Sequence, residues 1–300
     1  MLSRVVIAAV LAGVLGYRGL KKQSLSLSGA IAAFFVGFLT LASGTRFGAT
    51  DLSKITCRIY GTNHVFLGLL LLGFYYSGSK LTKIQARVKL QLDANYKPGG
   101  QRSARQVLAC SLLGTLIAVY YVAQYGDDAS ALDFKQAPMR SFLVASYIGH
   151  YACCAADTWA AELGVLSSKA PRLITTLRRV PSGTNGGVSM LGLFASLLGG
   201  TFIGALYYVW SLFSGTAQKE VLLLGAVMGL FGSVLDSVLG ATLQTTYFDR
   251  SLQRICDACA RNSDVEHICG ANVLSNEQVN VASVWVTTAL SGIVATILFP

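Results

Sequence analysis

The chain has 300 residues, 53% of them hydrophobic and 13% charged, and carries a formal net charge of +10 at pH 7. A globular chain of average composition carries about 25% charged residues, so this chain cannot fold as a soluble domain with its apolar residues covered. We therefore predict a polytopic membrane protein, organised as a single integral domain over residues 1–300. Membrane topology and lipid headgroups explain the excess of basic residues first, anionic ligands second, and no nucleic-acid partner is expected.

Apolar segments long enough to cross the hydrocarbon core, which takes about 20 residues, recur along the whole sequence. The segment 2–20 lacks the small-residue cleavage pattern of a signal peptide, and further apolar segments soon follow, which favours a retained span. No Arg- and Ser-rich transit peptide precedes it, so the default location is a secretory-pathway membrane, the endoplasmic reticulum. The predicted fold class is all-α, a polytopic bundle of about eight transmembrane helices, with spans near 2–20, 26–44, 64–78, 106–125, 141–161, 188–213, 221–243 and 279–299.

The basic residues divide unevenly between the two sides of this bundle. Most of the 24 Lys and Arg residues lie in the loops after the first, third, fifth and seventh spans. The positive-inside rule places those loops in the cytosol and both termini on the opposite side. The glycines at 199, 200, 204 and 225 lie within spans, where they suit close packing of helices.

Two acidic residues interrupt apolar segments, Asp157 within 147–164 and Asp236 near the end of 222–243. A carboxylate inside the membrane costs several kcal/mol at the midplane and less near an interface, and such residues usually mark a site. Under the predicted topology both acids lie toward the cytosolic ends of their spans, as a site for a cytosolic nucleotide requires. Mg²⁺ takes one or two carboxylates together with substrate phosphates, so both acids are candidate catalytic residues and metal ligands.

Glu162 is a third candidate catalytic residue and metal ligand. In a straight helix it lies about 140° around the axis from Asp157, so the two share a site only if the helix ends or bends near Gly164. Two alternatives stay open at this point. Asp157 could instead form a buried pair with His150 or with an Arg, and Asp236 could make an interhelical hydrogen bond that only holds the bundle together.

A Gly-rich stretch, VPSGTNGGVS at 180–189, leads directly into the sixth predicted span. Backbone N–H groups in such a stretch, together with the positive end of the following helix dipole, favour an anion such as phosphate. The alternative is a plain turn, because Pro-Ser-Gly and Asn-Gly-Gly are also ordinary turn sequences. No Walker motif is present. The candidate phosphate-binding residues are Gly183, Thr184, Asn185, Gly186, Gly187 and Ser189.

Further polar residues extend this candidate site on the predicted cytosolic side. Lys80 starts a basic helical face with Lys83 and Arg87, which would contact lipid headgroups or neutralise polyphosphate. Asp236 and Ser237 form a second polar patch two turns before Gln244. The candidate substrate- and nucleotide-binding residues outside the Gly-rich stretch are Lys80, Arg102, Arg179, Ser237 and Gln244.

Four residues in the predicted loop after the seventh span have a spacing that resembles a zinc site: Cys256, Cys259, His267 and Cys269. Structural zinc sites use four such ligands, but the arrangement here departs from the common ribbon pattern. Free thiols are the favoured interpretation, and zinc is the alternative.

The sequence resembles the transmembrane protein 19 family, also called domain of unknown function 92. The resemblance implies a membrane fold, and it implies an activity, because the plant phytyl-phosphate kinase resembles the same family. That enzyme phosphorylates an isoprenoid monophosphate to the diphosphate with a nucleoside triphosphate, CTP in preference. The stretches that carry the resemblance are SGSKLTK (77–83), LDANYKPGGQRS (92–103), ADTWAAELG (156–164), SKAPRLITTLRRVPSGTNGGVS (168–189), LLGGTF (197–202), GSVLDSVLGATLQ (232–244) and HICGANVLSNEQVN (267–280).

The leading hypothesis is therefore a membrane kinase in which Asp157 and Asp236 hold Mg²⁺, Glu162 adds or orients a ligand, and the 183–187 backbone binds phosphate. An apolar cleft beside these groups would take the isoprenoid tail. The first alternative is a secondary transporter of a small anionic or lipid substrate, whose acids should lie near the midplane and be reachable from both sides. The second is a non-catalytic lipid-binding membrane protein. In the kinase, the phosphate charge would be neutralised by Lys80, Arg102 and Arg179.

Overall fold

A computed structural model describes residues 2–42, 65–84, 86, 89, 100–126, 130–256 and 264–300. Each predicted span coincides with one helix of the described residues, to within a few residues at either end. The predicted helical bundle is thus confirmed. The helices are α1 (Leu2–Lys21), α2 (Leu27–Ala42), α3 (Val65–Leu81), α4 (Ala104–Tyr125), α5 (Pro138–Gly164), α6 (Met190–Phe213), α7 (Glu220–Leu243) and α8 (Asn276–Leu298).

Within the described residues, four helices are long and apolar enough to cross a membrane by themselves. These are α4, α6, α7 and α8, with 22, 24, 24 and 23 residues, and α2 is a shorter apolar helix of 16 residues. The outer faces of the helices are apolar, with Ile7, Ile31 and Leu198 among the exposed side chains. Such faces suit contact with lipid hydrocarbon.

Helix α5 forms the centre of the bundle and packs against α6, α7, α8, α3 and α4. Its residues 144–156 are all buried. Glycines let the neighbouring backbones approach, as predicted: a Cβ atom on Gly199 would lie 2.9 Å from Cα of Ala156, and one on Gly225 would lie 2.5 Å from the carbonyl oxygen of Gly200. Close approach of this kind is the usual role of small residues between membrane helices.

The segments that join the helices contain two small antiparallel sheets, which the sequence analysis did not predict. Strands of two to five residues are too short to show the alternation that identifies a strand. The first sheet pairs β1 (Arg172–Leu173) with β2 (Gly187–Val188), and the second has the order β4-β3-β5, from β3 (Thr246–Asp249), β4 (Arg254–Cys256) and β5 (Val265–Cys269).

The connections after α1, α3, α5 and α7 meet at one end of the bundle, which we call the loop end. The backbone N–H of Arg102 donates to the carbonyl of Ser24 at 3.1 Å, which joins the start of α4 to the turn after α1. The hydroxyl of Ser189, the N-cap of α6, donates to the carbonyl of Gly164 at 3.2 Å. Because α2, α4, α6 and α8 all begin at the loop end, the positive ends of four helix dipoles lie there. The positive-inside rule predicts that this end faces the cytosol.

Candidate functional site

A polar cleft of about 460 Å³ lies at the loop end, with walls from α5, α6, α7, α8, the 183–189 loop and Arg102. Most of the residues predicted from the sequence to form a site meet in this one cleft, although they come from distant parts of the chain. They are Arg102, Asp157, Glu162, Gly183, Thr184, Asn185, Gly186, Gly187, Ser189, Asp236, Ser237 and Gln244.

Asp157 and Asp236 face the same cleft from neighbouring helices, α5 and α7. One Asp236 carboxylate oxygen accepts a hydrogen bond from the hydroxyl of Ser283 on α8 at 2.9 Å. That is the interhelical bond that the alternative interpretation predicted, but it occupies only part of the carboxylate's accepting capacity.

Asp157 has no such bond within the described part of the chain. The pair with His150 is absent: the His150 ring contacts the hydroxyl of Thr288 at 3.1 Å and the carbonyl of Cys110 at 3.0 Å. Asp157 is half-buried, at the point where the buried core of α5 gives way to the cleft. A carboxylate in this position is open to a partner that enters the cleft, and such a partner would offset the cost of its partial burial.

The 183–187 loop has features of both structures that its sequence suggests, a plain turn and a stretch of free backbone donors. Three of its N–H groups are already bonded within the protein: Thr184 to the carbonyl of Pro181 at 3.3 Å, Asn185 to the hydroxyl of Thr246 at 3.2 Å, and Gly187 to the carbonyl of Thr184 at 2.9 Å. For the N–H groups of Gly183 and Gly186, the described residues offer no acceptor. The loop is therefore a bonded turn with two remaining donors beside the cleft.

Gly186 is required by its own backbone and by its neighbours. Its φ angle is +71°, a left-handed value that favours glycine. A Cβ atom there would overlap Ala241 and the carbonyl of Ser237 on α7. The loop is thus held against α7 one turn beyond Asp236, which fixes its position relative to that carboxylate.

Glu162 is a correction to the predicted metal site. Its carboxylate lies 2.5 Å from the ammonium group of Lys89 and accepts the hydroxyl of Thr82 at 2.5 Å. Lys89 is itself 5% exposed and donates to the carbonyl of Leu81 at 3.0 Å. No group of three His, Cys, Asp or Glu residues with a metal-binding arrangement occurs among the described residues. Glu162 lines the cleft but anchors the segment after α3, because its oxygens are already bonded there.

Lys80 and Arg179 are a second correction, because neither lies in the cleft. Lys80 is exposed and lines a separate shallow groove, between α3 and α6, with Tyr76 and Phe202. Arg179 is exposed on the turn after β1, where its backbone pairs with that of Arg172. Charge and proximity in sequence suggested both residues, but the helix face and the strand turn direct them away from the cleft.

Arg102 is therefore the one basic side chain that lines the cleft within the described residues. One of its guanidinium nitrogens donates to the hydroxyl of Ser79 at 3.2 Å. Gly78 lies beside it: a Cβ atom there would be 3.3 Å from a guanidinium nitrogen of Arg102 and 3.2 Å from the methyl group of Thr158. The missing side chain at position 78 lets Arg102 reach the edge of the cleft.

A second cavity adjoins the cleft at this edge. We call it the apolar cavity; its volume is about 170 Å³, and it lies between α1, α2, α3 and α4. Arg102, Thr158 and Asn280 line both spaces. An apolar cleft beside the polar groups was predicted from the sequence, without the residues that line it.

Sequence reasoning also missed four polar residues of the cleft itself. Ser196 on α6 donates to the hydroxyl of Ser233 on α7 at 2.9 Å, and both line the cleft. Asn276 and Asn280 line it from the first turns of α8. The available signal was the spacing of the two asparagines, four residues apart on one face of an otherwise apolar helix.

The four zinc-like residues do not form a site in the described part of the chain, which omits Cys259. The His267 ring contacts the carbonyl of Gly270 at 2.9 Å, and the Cys269 thiol donates to the carbonyl of Asn185 at 3.5 Å. Burial raises the pKa of Cys269, which keeps it a neutral thiol at pH 7. Cys269 thus packs behind the 183–187 loop instead of serving as a thiolate ligand.

Comparison with known proteins gives a family for the whole chain. The family described as integral membrane protein DUF92 matches residues 10–288. Protein PGR of Arabidopsis thaliana is 36% identical over 303 residues, covering 99% of this chain and 98% of its own length. An uncharacterized membrane protein of Methanocaldococcus jannaschii is 28% identical over 77% of this chain and 75% of its own. Protein VTE6, chloroplastic, of Arabidopsis thaliana is 26% identical over 73% of this chain and 56% of its own. No solved structure matches.

Proposed function

The chain belongs to the family of integral membrane proteins DUF92, as its sequence motifs predicted, and we propose that it is a kinase of a phosphorylated membrane lipid. It would transfer a phosphoryl group from a nucleoside triphosphate, CTP in preference, to an isoprenoid monophosphate of the phytyl or polyprenyl type. The resemblance to the plant phytyl-phosphate kinase motivates this choice of donor and acceptor. The product would be the diphosphate.

One observation carries the proposal: two carboxylates, one guanidinium and a Gly-rich turn line a single cleft that adjoins an apolar cavity. Phosphoryl transfer needs few covalent roles from the protein, because it depends on positioning and on neutralising charge. The cleft supplies acids for a metal ion, donors for phosphate oxygens, and a neighbouring surface for a hydrocarbon tail.

The residues of the cleft fit Mg²⁺ with two carboxylates, Asp157 and Asp236. Mg²⁺ keeps several waters and takes one or two carboxylates together with substrate phosphates. The carboxylate of Asp157 has no bond to the described residues, so both of its oxygens remain available to a metal ion. Held by these two carboxylates, Mg²⁺ would supply positive charge that offsets the negative charge of the phosphates.

The protein's own donors would orient the phosphates around that pair. The guanidinium of Arg102 can bind an acceptor phosphate with two parallel hydrogen bonds. Gly183, Gly186 and the N-terminal end of α6 line the same cleft, and their N–H groups suit the donor phosphates. In this arrangement the transferred group would cross from the loop toward Arg102.

The test is a transfer assay on purified protein in detergent micelles. Phytyl, farnesyl and geranylgeranyl phosphates are each incubated with Mg²⁺ and with CTP, ATP, GTP or UTP, and the diphosphate is measured by mass spectrometry. We expect a diphosphate that depends on Mg²⁺ and forms fastest with CTP. Absence of any diphosphate, with native-like thermal unfolding and all four nucleotides tried, would remove the proposal.

The structure favours the kinase over the transporter. A transported substrate must reach its site from both sides of the membrane. Beyond the cleft, α5 is surrounded by a continuous buried core that includes Phe66, Tyr147 and Tyr151, each at most 1% exposed. No described residue that lines the cleft belongs to the opposite end of the bundle.

We further propose that the kinase acts in the endoplasmic reticulum membrane. The family establishes an integral membrane protein, while one plant relative carries the description chloroplastic. A fluorescent fusion of the full chain should overlap an endoplasmic reticulum marker. Overlap with a plastid or mitochondrial marker would instead place the protein elsewhere.

A further inference from the structure

The apolar cavity has a clear direction, because its walls change character from one end to the other. Away from the cleft it is lined by α1 and α2, with small or aliphatic side chains. Toward the cleft it meets the guanidinium of Arg102, the hydroxyl of Thr158 and the amide of Asn280. The apolar lining residues used below are Ala12, Leu15, Ala33, Val36 and Leu71.

Charge decides what kind of molecule fits this junction. Among the described residues, Arg102 is the one basic side chain that lines either space, and the acids Asp157, Glu162 and Asp236 all lie on the cleft side. An anionic group bound by Arg102 therefore lies at the mouth of the apolar cavity. A hydrocarbon chain attached to that group can enter the apolar cavity directly.

We propose that the apolar cavity binds the first carbons of a single hydrocarbon chain whose terminal phosphate is held by Arg102. This inference rests on the proposed function for its phosphorylated lipid, and it adds where the chain lies and how much of it the protein contacts. Hydrocarbon is the matching occupant because an apolar cavity gains by excluding water.

The volume sets the length of chain that is held. An engineered cavity of about 150 Å³ in another protein binds benzene, and the volume here is about 170 Å³. The cavity therefore takes a segment of about that size next to the phosphate, and the rest of a long chain extends beyond it. We expect affinity to rise with the first carbons and then to level off, and a lipid with two acyl chains fits poorly.

The test narrows the cavity without touching the cleft. Ala33 is half-buried on α2 and lines the cavity, so Ala33→Phe fills it. The matched control is Ala289→Phe on the exposed face of α8. Binding of radiolabelled farnesyl phosphate to the full-length protein in detergent is measured without nucleotide. Unlabelled geranyl, farnesyl and geranylgeranyl phosphates, inorganic phosphate and dioleoyl phosphatidic acid serve as competitors.

We expect Ala33→Phe to weaken all three prenyl phosphates by a similar factor of at least about tenfold, since each methylene that leaves an apolar site loses about fourfold in affinity. Binding of inorganic phosphate and of CTP should stay as in the wild type, and Ala289→Phe should change nothing. If thermal unfolding shows that the Ala33→Phe protein is not folded, Ala33→Leu makes a smaller change at the same position.

Unchanged prenyl-phosphate affinity in a folded Ala33→Phe or Ala33→Leu protein would overturn the inference. So would equal competition by phosphatidic acid, or a parallel loss of CTP binding. The outcome is separable from that of the kinase proposal. Chain-dependent binding without any transfer leaves this inference standing and removes the kinase, while transfer that is indifferent to Ala33→Phe does the reverse.

Discussion

The two ends of the bundle treat their polar residues in opposite ways. At the end opposite the loops, Arg140 is 3% exposed and its guanidinium donates to the carbonyls of Ser130 and Ala131. Gln218 there bonds both backbone groups of Leu132, at 2.8 and 2.9 Å. At the loop end, by contrast, Asp157 keeps both carboxylate oxygens free of bonds to described residues.

The difference separates polar residues that build the fold from those that are available to a ligand. A buried polar group is tolerated when the protein itself supplies its partners. Where the partners are missing and the group faces a cleft, the remaining explanation is a partner that binds from outside. Changes at the open carboxylates of the cleft should therefore alter activity, and changes at polar groups whose partners the protein itself supplies should alter stability.

The largest effect is expected from Asp157→Asn and Asp236→Asn. Each removes one negative charge while the amide keeps the shape and can still accept a hydrogen bond, such as the one from Ser283. Turnover in the lipid kinase assay should fall about 1,000-fold or more, about 4 kcal/mol in the barrier. The midpoint of thermal unfolding should change little.

The matched control is Asp249→Asn, at an exposed turn outside the cleft. The Asp249 carboxylate accepts from the Ser251 hydroxyl at 2.6 Å and from the N–H groups of Ser251 and Leu252. These bonds lower its pKa, and an asparagine oxygen can accept the same donors. Full turnover in both cleft variants, or equal loss in the control, would contradict the comparison between regions.

Glu162→Gln tests whether this acid belongs to the anchor or to the metal site. Removing one partner of a buried ion pair leaves the other charge uncompensated, at about 3–5 kcal/mol. We expect a loss of that order in a denaturation titration, because Lys89 is 5% exposed. The double variant Lys89→Met, Glu162→Gln should recover most of the loss.

If the double variant recovers stability and the Mg²⁺ dependence of its turnover is unchanged, then Glu162 is a structural anchor. If the double variant is instead as inactive as Asp157→Asn and needs far more Mg²⁺, then Glu162 is a ligand after all, and the structural correction is wrong.

Arg140→Met probes the opposite end, where only stability should respond. The methionine keeps much of the length of the side chain but leaves the carbonyls of Ser130 and Ala131 without their donor. Ser130 is exposed, so water can replace its donor, whereas Ala131 is half-buried. An acceptor that loses its partner away from water costs about 1–3 kcal/mol, so we expect a loss of about that size in the same titration. Turnover of the remaining folded protein, per active molecule, should match the wild type, and a specific fall in turnover would break the division between the two ends.

Much of this arrangement could be predicted from the sequence. The features that could be predicted are those with a local signal in the chain. Apolar segments of the right length located all eight helices of the described residues. The rarity of acids in such segments pointed to Asp157 and Asp236, and the unequal distribution of basic residues placed both at one end.

The rest depended on contacts between residues far apart in the chain. Glu162 and Lys89 are 73 residues apart, and no local pattern relates them. The same holds for the junction of Arg102, Thr158 and Asn280, which come from the segment before α4, from α5 and from α8. The prediction that Lys80 and Arg179 lie in the cleft was wrong for a related reason. Charge shows that a residue can bind phosphate, but only the fold determines which way its side chain points.

The smallest effect is expected in the difference between Gly186→Ala and Gly215→Ala, which share one backbone conformation at opposite ends of the bundle. Gly215, at the opposite end, has the same φ angle of +71°, and a Cβ atom there would meet nothing within 4 Å. Gly215→Ala therefore measures left-handed strain alone, about 1–2 kcal/mol. Gly186→Ala should cost more by about 1–3 kcal/mol, because its methyl group must also displace Ala241 or the Ser237 carbonyl. If the two variants lose the same stability, the 183–187 loop is not held against α7, and its alignment with Asp236 needs another explanation.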